Sequence, residues 1–80
     1  MPKLRLLSSA DVIKALETFG FEIISQKGSH IKLARYTVLQ KQVLTIPNNK
    51  SLRKGTLKAI FNQASRFVSQ EELQTFFYTE

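Results

Sequence analysis

Eighty residues with no cysteine and a net charge of +6 leave room for one small domain spanning 1–80, and exclude a second catalytic domain or a large cofactor fold. A chain of this length buries only about 60% of the surface its unfolded form exposes, so its core is modest, although 42% hydrophobic residues and six phenylalanines suffice for it to fold alone. Disulfides, thiolate catalysis and cysteine zinc sites are excluded, which fits a reducing cytoplasm. The apolar run at the start is broken by Arg5, too short for a signal peptide, and nothing approaches the roughly 20 apolar residues of a membrane span, so no membrane partner is expected.

Ser8-Ser9-Ala10-Asp11 reads as a helix start, with a hydroxyl cap and an acid in the first turn. Val12, Ile13, Leu16 and Phe19 form an apolar stripe at helical spacing, and Gly20 supplies the left-handed stop, predicting a helix over 9–19. Phe21 to Gln26 is a β-rich run, followed by a turn at Lys27-Gly28. From Ser29 to Arg35 the residues alternate, with Ile31 and Leu33 on one side and His30, Lys32 and Ala34 on the other. Gln42 to Ile46 is a third strand, ended by Pro47, which cannot donate to a ladder. The connection from Tyr36 to Lys41 has no Gly or Pro to define its turn.

After the polar loop from Asn48 to Lys54, Gly55-Thr56 opens a second helix with Leu57, Ile60, Phe61 and Ala64 on one face. Ser69-Gln70-Glu71-Glu72 matches a capping box and introduces a short helix carrying Leu73, Phe76 and Phe77, an aromatic tail expected to complete the core. The order α-β-β-β-α-α, with no internal repeat, predicts an α+β fold: a three-stranded antiparallel sheet with the helices on one face. The other face is left to water. Ile31 and Leu33 then face the helices, and His30 and Lys32 face outward.

The charge is segregated. Nine of the twelve basic residues lie from Lys27 to Arg66, and no acidic residue occurs between Ile23 and Gln70. Such a block favours a polyanion, because each phosphate neutralised releases condensed counterions. His30, the one histidine, lies inside the block in Gln26-Lys27-Gly28-Ser29-His30. Histidine is the side chain suited to proton transfer near neutral pH, and RNA supplies its own nucleophile in the 2′-hydroxyl. His30 is therefore the candidate catalyst. Lys27 and Lys32 supply charge, and Gly28 and Ser29 let backbone amides approach a phosphate. Lys50, Arg53 and Lys54 stand at the mouth of the second helix, whose N-terminal amides favour phosphate, and complete the candidate contacts. A lone histidine without cysteine or a neighbouring carboxylate cannot fill a metal's coordination sphere, so neither metal nor cofactor is expected.

These segments resemble the HicA toxin family of small bacterial mRNA interferases. The resemblance rests on Gly20-Phe21, Gln26 to His30, Thr45-Ile46-Pro47, and Gly55-Thr56-Leu57 with Ile60 and Gln63; it covers most of residues 8–64 and leaves out the tail from Ser65. It implies a double-stranded-RNA-binding-domain-like fold, ribosome-independent cleavage of mRNA and neutralisation by a HicB-type antitoxin. It also makes His30, the histidine after Gly-Ser, the catalyst. The chain departs from the family where relatives often carry a second histidine directly after the first, here Ile31, and a histidine in the loop after the proline, here Asn48-Asn49. Proton transfer then falls to His30 alone. Two other readings use the same surface: a non-catalytic RNA-binding module, and an interaction protein whose basic face docks an acidic partner.

Overall fold

The computed structural model describes residues 2–79. Six elements follow in the expected order: α1 (Ser9–Thr18), β1 (Glu22–Lys27), β2 (His30–Tyr36), β3 (Lys41–Pro47), α2 (Lys54–Ala64) and α3 (Gln70–Phe77). The strands form an antiparallel sheet in the order β1-β2-β3, so the fold is α+β. No helix among the described residues is long and apolar enough to cross a membrane.

Each element ends where its residues require. Ser8 caps α1: its side chain accepts from the Asp11 N–H, and the Asp11 carboxylate accepts from the Ser8 N–H at 2.9 Å. This is the complete reciprocal capping box, whereas at α3 the recorded cap is Ser69 accepting from the Glu72 N–H. Gly20 leaves α1 with φ +94°, and Gly28 turns the β1–β2 hairpin with φ +56°, at the position where a two-residue II′ loop takes glycine. α2 starts one residue earlier than its glycine indicated, at Lys54, with Arg53 as its cap residue.

One face of the sheet is covered. Ile31, Leu33, Leu44 and Ile46 meet Val12 and Leu16 of α1, Leu57, Ile60, Phe61 and Ala64 of α2, and Leu73 and Phe77 of α3 in a single buried cluster. The aromatic tail belongs to it: Phe76 meets Phe19 edge-on at 5.4 Å, and Phe61 meets Phe77 and Tyr78 at 5.6 and 5.4 Å. The chain ends clasp each other through a Leu4–Tyr78 bridge, with Arg5 N–H donating to Phe77 C=O and Thr79 N–H to Lys3 C=O.

Arg35 departs from the basic block in which its charge had counted it. Alternation puts it on the inner face with Leu33, where the guanidinium lies 4.8 Å from the centre of the Phe21 ring. It donates to Phe19 C=O and Phe67 C=O, both at 2.9 Å, and to Gln42 Oε1 at 2.8 Å. Ala34, placed on the outer face by alternation, is only 2% exposed. It sits on the central strand, opposite Glu22 on one side and Val43 on the other, both with longer side chains than its own methyl.

Two predictions follow from these contacts. Arg35→Ala strips three partners of a charged donor and should cost about 2–4 kcal/mol, lowering the thermal midpoint by roughly 10 °C or more. Arg35→Lys should recover little of it, because an ammonium lacks the planar fork; circular dichroism melts check both. The Ser8 hydrogen bonds, the backbone N–H first, hold Asp11 below its ordinary value of 3.8. That stabilisation is present above 3.8 and is lost as pH falls through the lower folded value, so Asp11→Asn should flatten the acid limb of a midpoint-against-pH curve.

Candidate nucleic-acid interface

Strand pairing sets the outward face in cross-strand rows. Lys27, His30 and Pro47 make the first, and Ser25, Lys32 and Thr45 the second. Glu22, Ala34 and Val43 follow, and Tyr36 with Lys41 closes the far end. His30 and Lys32 are exposed while Ile31 and Leu33 are buried, as alternation requires.

β1 reaches this arrangement through an irregularity. Ile23 pairs with Leu33 and Ser25 with Lys32, which leaves Ile24 as an extra residue in a bulge. Beyond the bulge Ser25 and Lys27 lie on the outward face, and the two-residue Gly28-Ser29 turn sets Lys27 directly beside His30. No sequence pattern announced the bulge, because Glu22 to Lys27 is exposed throughout and has no buried residue of its own to set its phase.

The hairpin residues Lys27, Gly28, Ser29, His30 and Lys32 therefore share one end of the sheet. The loop after β3 is tied to the same end, where Asn48 N–H donates to Ser29 C=O at 2.7 Å. Lys50 and Arg53 are exposed further along that loop, which is anchored by buried Leu52, whose N–H donates to Leu7 C=O. Lys54 turns elsewhere: it lines a groove with Lys3, Leu4, Lys58 and Tyr78 beside the terminal clasp. The hairpin cluster and the mouth of α2 are thus distinct basic surfaces, joined by the loop.

Two residues that the sequence did not mark as functional hold this end in place. Ser9, 2% exposed, donates its hydroxyl to Pro47 C=O and lies 2.9 Å from Asn49 C=O. It also accepts from Asn49 N–H at 2.7 Å, and its own N–H donates to Asn49 C=O at 3.0 Å. Ser9 thereby grips the loop on both sides of Asn48, whose amide holds the hairpin. Gln63 on α2 accepts from Thr45 N–H at 3.0 Å, satisfying a donor on the open edge of β3. Ser9 was hidden because a pair of serines before a helix reads as capping alone. Gln63 did appear among the residues behind the family resemblance, and its structural task is now visible.

With the geometry in place, comparison with known proteins adds one finding. A family model described as the HicA toxin of bacterial toxin-antitoxin systems matches residues 9–65. No curated protein and no solved structure matches the chain. The match takes in the Ser9 clamp, the hairpin and Gln63, and leaves out α3 and the terminal clasp. Ser9→Ala should leave the sheet folded at a cost of about 1–2 kcal/mol. It should speed hydrogen exchange at the Asn48 and Asn49 amides while the β2 and α2 amides stay protected, as amide-resolved exchange will show.

Proposed function

The chain belongs to the HicA toxin family, the toxin side of a toxin–antitoxin pair, and from that premise we propose that it is a metal-independent endoribonuclease that cleaves mRNA with His30. The observation that carries this reading is the first outward row: an exposed imidazole with Lys27 beside it, Lys32 in the next row and the Gly28-Ser29 turn adjoining.

RNA cleavage needs the 2′-oxygen to attack phosphorus while the bond to the 5′-oxygen breaks, leaving a 2′,3′-cyclic phosphate and a 5′-hydroxyl. His30 takes the 2′-hydroxyl proton as a base, or gives a proton to the leaving oxygen as an acid. A positioned group of this kind contributes about 10²–10⁴-fold. One histidine fills one of these roles, and water completes the other transfer. Lys27 and Lys32 offset the charge that grows on the non-bridging oxygens, and the Gly28-Ser29 turn adjoining His30 offers backbone amides to them. Lys50 and Arg53 extend the contact along the RNA backbone, while Lys54, in its separate groove, serves only an RNA long enough to pass the mouth of α2. Activity on mRNA locates the protein's work in the cytoplasm, and a HicB-type antitoxin is the cognate inhibitor.

The two departures from the family now differ in weight. Ile31 is buried and pairs with Ile46, so position 31 points away from His30, and a histidine there would not share its face. Asn48 lies against the hairpin itself, so a histidine at 48 would stand next to His30. That observation favours the second reading, an RNA-binding module that does not cut.

Incubating end-labelled RNA with the protein in EDTA separates the readings. Wild type should yield cyclic-phosphate ends, and His30→Ala should slow cleavage by about 10²–10⁴-fold with the fold unchanged by circular dichroism. Equal cleavage by both proteins removes His30 from the chemistry. Salt-sensitive binding without products establishes the binding module.

A further inference from the structure

The far end of the outward face has no place in RNA cleavage. There the β2–β3 turn presents Val38 and Leu39, both fully exposed, next to exposed Tyr36 and Val43. The turn is held in shape: Thr37 N–H donates to Gln40 C=O at 2.9 Å, and the Thr37 hydroxyl accepts from the Gln40 and Leu39 N–H groups at 3.1 and 3.3 Å. Lys41 stacks on the Tyr36 ring at 5.7 Å and fixes the neighbouring pair. Two adjacent aliphatic side chains are thus fully hydrated on a preorganised support, which lowers the entropy lost when something covers them.

We infer that this turn is the anchor point of the antitoxin, an acidic protein offering an apolar cleft to Val38, Leu39 and Tyr36 and extending from there over the His30 row. The inference rests on the toxin reading above, since it concerns what covers that same face. Three observations choose the occupant. The face carries Lys27, Lys32 and Lys41 against Glu22 alone, and the chain has a net charge of +6, so a second copy would set like charge on like. Tyr36 and Lys41 could meet a nucleic acid, but Val38 and Leu39 at the tip of the turn offer it neither charge nor side-chain hydrogen bonds nor an aromatic surface, so the tip points to a protein. His30 and Tyr36 are six steps apart along β2, roughly 20 Å at about 3.3 Å per residue. A standard interface of about 800 Å² per partner spans that length, so one protein can hold the turn and mask the histidine together.

Anchoring and chemistry are then separable. The test uses the full chain with Val38→Ser and Leu39→Ser combined, and the purified cognate antitoxin as the probe. Binding is measured by calorimetry in a His30→Ala background, so its outcome does not depend on whether RNA is cut. Affinity should fall at least tenfold, while the same serine substitutions in the His30 chain leave RNA binding and any cleavage unchanged. Leu6→Ser, at a comparably exposed leucine on the N-terminal segment, should leave affinity unchanged. Unaltered affinity in the double variant overturns the inference. So does loss of RNA binding with antitoxin affinity intact, which gives the turn to RNA. A wild-type dimer that the serines dissociate, read by light scattering, gives it to a second copy and likewise overturns it.

Discussion

The guanidinium of Arg35 is the contact on which the rest of the arrangement depends. It reaches from the middle of the sheet to the carbonyl that ends α1 and the carbonyl that leads into α3, and it takes up the side chain of Gln42 on the way. Gln42 is its cross-strand partner, but the two carbonyls come from remote stretches of chain that share no local signal with it. A planar cation with several donors in a fixed fork is the side chain suited to such a junction, because it satisfies carbonyls lying in different directions without leaving a buried acceptor bare. The Phe21 ring beneath it and Gly20 beside it complete the fit; a Cβ on Gly20 would meet the Arg35 side chain at 3.4 Å. With the helices secured to the inner face, the outer face stays open and can carry charge.

The division between the faces is what turns a fold into a site. One face excludes water and holds the protein together; the other holds His30 and its lysines in solvent, where a polymer can reach them. The link between the two is the loop after β3. Ser9, buried at the start of α1, holds the loop backbone, and the loop holds the hairpin turn beside His30. Rigidity at the basic end is thus drawn from the core through backbone hydrogen bonds, and the exposed side chains remain free to meet phosphate.

What the sequence made legible was whatever repeats with a period. The apolar stripes of α1 and α2, the alternation of β2 and β3, and the outward turn of His30 all follow from spacings of 3.6 or 2. The glycine and serine boundaries were legible for the same reason: their conformational needs are local. Arg35 was misread as part of a phosphate-attracting block because charge is visible in a sequence and a distant carbonyl is not. Ala34 was read as exposed because alternation gives direction but says nothing about taller neighbours. Ser9, the separate groove at Lys54 and the clasp between residues near 4 and 78 rest on contacts between remote segments. At the site, the hairpin residues were found together because they are consecutive; the loop's attachment to them was not.

The bulge at Ile24 gives β1 an unusual grammar. A residue's identity in a strand says what it is, but the parity of its position says which way it looks, and Ile24 resets that parity midway. Deleting Ile24 would leave Ile23 opposite Leu33 and Ser25 opposite Lys32 in unbroken alternation, with the two-residue turn still holding Lys27 beside His30. A regular strand of the same length would instead slip each residue before the bulge by one position, turning Glu22 towards the core side and Ile23 outward. The basic end is thus fixed from the turn, and the extra residue decides which side chains lead into it from α1.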